Sequence, residues 1–209
     1  ASGITERLFK FANVAVSWMA GGLAQVSVIL STLMGGVSGS AVAEAAMEAR
    51  ILGPSMLKEG YSKGFSAAVI AVTSLITATL PPAIGLILYG YVGNVSIGQL
   101  FMAGIVPGLM MMVTMMITIY IIARKRNYRT VDARKPTAGE FFSAMWGAKW
   151  ALLFPILLVF SIRGGLFTPS EVGSAAVVYA VLVGVLAHKA LTWDRIIVAF
   201  RHSVSDIGL

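Results

Sequence analysis

Met34-Gly35-Gly36-Val37-Ser38-Gly39-Ser40-Ala41 stands near the centre of Ala12–Met47, a stretch without Lys or Arg whose one acidic residue is Glu44. Three glycines and two serines in eight positions leave helical geometry readily and support a turn. The stretch holds 36 residues. Two bilayer crossings need roughly 20 residues each plus a turn, and one crossing would leave a long remainder. A re-entrant hairpin over residues 13–48 fits this length, with one arm entering, a polar tip, and a second arm returning to the same face.

The rest of the chain explains why a bilayer enters the reading. Of 209 residues, 57% are hydrophobic and 12% charged, and mean hydropathy is +0.84. A soluble domain carries about 25% charged residues. The charges sit in short clusters between long apolar runs, the pattern of a polytopic, all-α membrane protein. There is no cysteine, so neither a disulfide framework nor a thiolate metal site is possible. Zinc needs three or four ligands, and His188 and His202 stand alone near the C-terminal end. The net charge of +7 reads as basic cytoplasmic loops flanking apolar runs, with no aromatic interleaving of the nucleic-acid-binding kind.

Charge placement tests the hairpin. Four further apolar runs lie within Phe65–Met102, Gly104–Ala123, Trp150–Ile162 and Val172–Ala187. If the first run returns to its starting side and these four each cross once, fifteen of the sixteen positive residues share one side and Arg163 stands opposite. If the first run crosses, the division is thirteen against three. The positive-inside rule favours the hairpin modestly, and both versions put the Arg124–Lys135 segment in the cytoplasm.

The second run carries a break of its own, Thr77-Ala78-Thr79-Leu80-Pro81-Pro82-Ala83-Ile84-Gly85. Proline removes a backbone donor and clashes with the carbonyl one turn earlier. Broken backbone persists in hydrocarbon only where protein or a wet cavity satisfies it. Two neighbouring spans each with a mid-membrane break point to the substrate site of a secondary transporter. Helix N-termini suit a carboxylate, while unwound carbonyls and hydroxyls suit sodium. The candidate substrate-binding residues are Ser38, Gly39, Ser40, Ala83 and Gly85. The candidate sodium-binding residues are Gly36, Ser38, Ser40, Thr77, Thr79, Pro81 and Pro82, a set that needs no permanent charge.

Plainer readings stand beside these. Glycine and serine also glue membrane helices together, and Pro-Pro can be a simple kink. Glu44 is either a buried carboxylate for proton coupling or, the favoured reading, a solvated residue near a hairpin base. Met110–Met112 and Met115–Met116 read as helix packing or lipid-facing surface. Trp18, Trp146, Trp150 and Trp193 read as interfacial anchors. The basic run Arg124–Lys135 is a cytoplasmic loop, with anionic-lipid binding as a lesser possibility. No Walker A motif, Ser/His set or paired intramembrane carboxylates suggest an enzyme. An ion channel would want a continuous polar stripe along a span, and a scaffold that binds no solute is the remaining competitor.

From Met34 to Ala46 the sequence resembles the large membrane subunit of TRAP (tripartite ATP-independent periplasmic) transporters. The resemblance continues through Gly60-Tyr-Ser-Lys-Gly-Phe-Ser-Ala-Ala68, Leu80-Pro-Pro-Ala-Ile-Gly85, Leu88-Tyr-Gly90, Ala103-Gly-Ile-Val-Pro-Gly108 and Phe167-Thr-Pro-Ser-Glu171. It implies an elevator-type secondary transporter of the bacterial inner membrane, built from two inverted repeats with a re-entrant hairpin in each. Such a transporter imports an organic acid, for example sialic acid or a C4-dicarboxylate, with sodium as the co-transported ion. The implied partners are a periplasmic substrate-binding protein and a small membrane (Q) subunit. By similarity, Ser38, Gly39 and Ser40 form the first hairpin tip, and Thr79, Pro81 and Pro82 the break of a sodium-binding discontinuous helix. Residues 1–123 would then be first-repeat transport region, with a broken helix over 62–92 and a further helix over 97–123. Residues 124–140 would be a basic linker, and 141–209 the start of the second repeat. The chain is expected to be part of a longer polypeptide whose second hairpin completes the site.

Overall fold

The computed structural model describes residues 4–128, 134–164 and 169–187, whose regular structure is all helix, with no strand among them. His188, His202 and Trp193 lie outside the described residues. So do Lys189, Arg195 and Arg201, which the charge argument used.

Helix α1 (Ile4–Val16) packs beneath α2 (Gly22–Gly35), which the tip residues 36–40 join to α3 (Ala41–Ile51). A short α4 (Gly53–Lys58) leads to α5 (Lys63–Thr79) and, across a break, to α6 (Ile84–Val92). Then come α7 (Ile97–Lys125), α8 (Ala138–Arg163) and α9 (Pro169–Leu182), which a π-helical turn, Val183–Ala187, continues. Residues 138–140 begin α8, although the sequence reading left them in the linker.

Helix α2 is the centre of the molecule. Every residue from Gly21 to Val28 is buried, and its Leu23, Val26 and Leu30 belong to one core with Leu8, Leu52 and Ile76. Its 14 residues measure about 21 Å at 1.5 Å per residue. The hydrocarbon layer is about 30 Å thick, so α2 is too short to cross it. With 29 residues, α7 is about 44 Å long. Among the described residues it is the one helix long and apolar enough to cross a bilayer unaided, and the α5–α6 pair is a second if its two parts form one bent span.

The methionines divide by face. Met111, Met112, Met115 and Met116 pack on the core, whereas Met110 is 65% exposed on the outer surface. The same helix turns Gly104 and Gly108 toward the α5–α6 break. A Cβ on Gly104 would lie 2.7 Å from the Thr79 carbonyl oxygen, and one on Gly108 would lie 2.6 Å from Leu80 Cδ2. Small residues at this spacing let two backbones approach closely. Gly104→Ala is therefore expected to destabilise the protein by about 1 kcal/mol, read as a lowered thermal midpoint in detergent. An unchanged midpoint would show that this contact contributes nothing.

Candidate functional site: the hairpin tip against the proline break

The tip forms because α2 ends in glycine. Val37 and Ser38 donate their N–H groups to the Met34 carbonyl, each at 2.8 Å, which closes the last turn of α2. Gly39 then takes a left-handed conformation, φ +62°, a region costly for any residue with a Cβ. Ser40 caps α3, its hydroxyl accepting from Ala43 N–H at 3.4 Å.

The proline break lies directly against this tip. Helix α5 stops at Thr79, the chain runs extended through Leu80 and Ala83, and α6 starts at Ile84 with a bend of 46°. The Pro81–Pro82 peptide is cis. Ile84 N–H donates to the Gly39 carbonyl at 3.3 Å, and a Cβ on Gly39 would overlap the Pro82 carbonyl oxygen. Beneath the tip, a Cβ on Gly35 would lie 3.0 Å from Leu80 Cβ and 3.3 Å from Thr77 Cα. Four helix ends thus converge: the C-termini of α2 and α5, whose last carbonyls lack partners within their own helices, and the N-termini of α3 and α6, whose first N–H groups do likewise.

The candidate residues fall into two sets. Gly36, Ser38, Gly39, Ser40, Pro81, Pro82 and Ala83 belong to this junction. Thr77 and Thr79 spend their hydroxyl protons elsewhere and keep only lone pairs, and Gly85 lies beside the junction, one residue past the Ile84–Gly39 bond. Thr77 is fully buried and donates to the Ser31 carbonyl at 2.8 Å. Thr79 donates to Leu75 O at 3.0 Å and faces Met111 Sδ at 3.6 Å. Gly85 sits in the first turn of α6 with open space around it. An apolar cavity of about 380 Å³, lined by Leu33, Gly36, Pro81 and Phe160 among others, flanks the junction. Its lining carries no charged side chain, and its one hydroxyl, Thr32, donates to the Val28 carbonyl.

Two carboxylates change the sequence reading. Glu44 is 1% exposed, not solvated at a hairpin base. The shielded Ser38 hydroxyl faces it and is its one side-chain hydrogen-bonding neighbour, and neither group has another partner among the described residues. One turn further along α3, Glu48 is fully buried and accepts from Ser27 Oγ, from Ser31 Oγ at 2.7 Å and from Thr73 Oγ1 at 3.4 Å. Ser27 and Thr73 also pair at 2.8 Å. Helix α3 therefore carries two buried acids, Glu44 toward the tip and Glu48 between the arms, where a site without permanent charge was expected. Sequence reasoning missed Glu48, Ser27, Ser31 and Thr73. The available signal was spacing: Ser27/Ser31, Glu44/Glu48 and Thr73/Thr77 are polar pairs four residues apart on three helices, so each pair shares a face.

Ser38 and Glu44 supply hard oxygen donors beside free carbonyls, which is the chemistry of an alkali-cation site. Among the described residues no group of three His, Cys, Asp or Glu side chains could hold a transition metal.

Residues 1–207 match the family model of the tripartite ATP-independent periplasmic transporter, DctM component. The chain is 35% identical over 209 residues to the sialic acid TRAP transporter large permease protein SiaM of Vibrio cholerae, covering 100% of this chain and 48% of that protein. It is 42% identical over 186 residues to the ectoine TRAP transporter large permease protein TeaC of Halomonas elongata, covering 89% of this chain and 43% of that protein. To the C4-dicarboxylate TRAP transporter large permease protein DctM of Vibrio cholerae it is 36% identical over 183 residues, 87% of this chain and 40% of that protein. The chain thus spans less than half the length of these curated relatives. With its glycine-tipped helical hairpin seated on a proline-broken helix, it belongs to the DctM component family of TRAP transporters, which are membrane transport proteins.

Proposed function

We propose that this chain carries one half of the substrate and sodium site in the large permease of a sodium-coupled TRAP importer for an organic acid. The observation that carries this reading is the convergence of four helix ends around two buried oxygen groups, Ser38 Oγ and the Glu44 carboxylate, that face one another and have no further partner among the described residues. Sodium would be held by Ser38, Glu44 and the carbonyls at the ends of α2 and α5, including those of Gly36 and the residues around Pro81 and Pro82. The substrate carboxylate would meet the N–H groups opening α3 and α6, around Ser40, Ala83 and Gly85. Sodium held against Glu44 would lower the cost of bringing a second carboxylate, the substrate's, into the same dry space, and that dependence would be the coupling.

The short arms support a hairpin that dips into the membrane. A 14-residue α2 and an 11-residue α3 reach only partway through a layer of about 30 Å. The polar links from Glu48 to α2 and α5 would let hairpin and broken helix travel as one rigid body, as an elevator step requires. The protein would be a multi-pass component of the bacterial inner membrane. A periplasmic binding protein would deliver the acid and a small membrane subunit would support the scaffold. Relatives named for sialic acid, ectoine and C4-dicarboxylates set the panel of substrates to try.

The test is uptake by vesicles containing the complete permease, with its binding protein, across that panel at varied sodium. Glu44→Gln keeps the shape and removes the charge. It is expected to raise the sodium needed for half-maximal uptake at least roughly tenfold, and Ser38→Ala to raise it less. Thr79→Ala should matter least, since its hydroxyl faces Met111 of α7 and not the tip. Uptake indifferent to sodium, or unchanged in Glu44→Gln, would sink the coupling scheme.

A further inference from the structure

A second polar site lies away from the junction. Helices α1 and α8 pack against one another, and the segment leading into α8 folds over their near ends. Between them is a cavity of about 840 Å³ whose lining includes Arg7, Lys10, Arg134, Lys135 and Glu140. Four cations thus face one carboxylate, and that carboxylate is occupied. Glu140 accepts from Thr137 N–H at 2.8 Å and from Arg134 Nη2 at 3.4 Å. Arg7 uses one N–H on the Gly147 carbonyl at 3.2 Å. The Lys135 ammonium lies 5.3 Å over the Trp18 ring, and Lys10 has no partner among the described residues.

The outer face of α8 gives the cavity its depth in the membrane. Phe142, Trp146 and Trp150 recur every fourth residue and are 61%, 70% and 37% exposed. The Lys149 ammonium sits 4.0 Å over the Trp146 ring. Exposed aromatics beside a lysine mark the level of lipid headgroups. The cavity opens at that level, on the side the charge distribution assigns to the cytoplasm. Basic pockets in this position attract anionic headgroups.

The geometry points to a binding site for a phosphate-bearing anion between α1 and α8, with the headgroup of an anionic phospholipid as its occupant. Lys10 and Lys135, whose ammonium groups make no hydrogen bond among the described residues, are its principal contacts, and Arg7 and Arg134 add the N–H groups that Gly147 and Glu140 leave unused. This inference does not depend on the transport reading.

Native mass spectrometry of the complete permease in detergent, titrated with phosphatidylglycerol or phosphatidylcholine, tests it. Wild type is expected to retain phosphatidylglycerol preferentially. Lys10→Gln and Lys135→Gln should each weaken that binding about fivefold, while Lys149→Gln, outside the cavity, leaves it unchanged. Both lysines are exposed, so folding is not at stake. A third arm adds millimolar inorganic phosphate. Failure to displace the lipid supports the headgroup as occupant, and displacement reassigns the site to a soluble phosphate. Equal retention of the two lipids by wild type, or unweakened binding in the double variant, overturns the proposal.

Discussion

Replacing Gly39 by valine is expected to abolish sodium-dependent uptake while leaving the permease inserted in the membrane. Two effects add. Gly39 has φ +62°, and a β-branched residue is a strong outlier in that region, where even an ordinary residue pays about 1–2 kcal/mol. Its Cβ would also overlap the Pro82 carbonyl oxygen, which is backbone and cannot swing aside. The tip must therefore lift from the break, and the Ile84 to Gly39 hydrogen bond must open. A displacement of about 1 Å among positioned groups costs on the order of 10²-fold in rate. Gly39→Ala is expected to lose nearly as much, because the overlap arises at Cβ itself. Gly64→Ala is the control: it lies in α5 with nothing within 4 Å of a built Cβ, and alanine favours the helix. Uptake should persist there. Normal uptake in Gly39→Val would mean that tip and break need not touch for transport.

The second large effect is on stability. Glu48→Leu removes the acceptor that Ser27, Ser31 and Thr73 share. Ser27 and Thr73 can keep one another, and Thr73 also donates to the Val69 carbonyl at 2.9 Å, so Ser31 loses most. A buried polar group left without its partner costs about 1–3 kcal/mol, and here the three helices α2, α3 and α5 lose their common link as well. The expected loss is about 2 kcal/mol, or roughly 4–8 °C in thermal midpoint for a domain of this size. Glu48→Gln keeps an acceptor oxygen and should lose less than half of that. Thermal unfolding in detergent decides it. A raised midpoint in Glu48→Leu would show that burying this carboxylate costs more than its hydrogen bonds return.

Much of this site was readable beforehand because its signals are local. A glycine where φ must be positive and a proline pair where a helix must stop are properties of a few consecutive residues. That is why Gly39 and Pro81–Pro82 stood out in the sequence. Glu44 shows the opposite case. Whether it meets water or a closed interior depends on what packs over α3, and nothing within the segment Ala41–Ile51 records that α5 does so. Glu48 was hidden for the same reason. Its three hydroxyl partners come from residues 21 and 17 positions before it and 25 after it, distances no local pattern spans.

The sequence by itself determined the class, a helical membrane chain with two interrupted apolar segments, because burial in lipid demands apolar composition and self-satisfied backbone at every position. It also marked the residues able to break those helices, since φ preference and the missing proline N–H are intrinsic to the residue. Only the tertiary structure decided that the two breaks meet and that Thr77 and Thr79 spend their hydroxyl protons on carbonyls rather than at the tip. It alone showed that two acids are sealed inside and that Arg7 and Lys10 come beside Arg134 and Lys135. Each of these is a relation between helices distant in the chain, set by which faces pack together, and side-chain packing is a property of the whole fold.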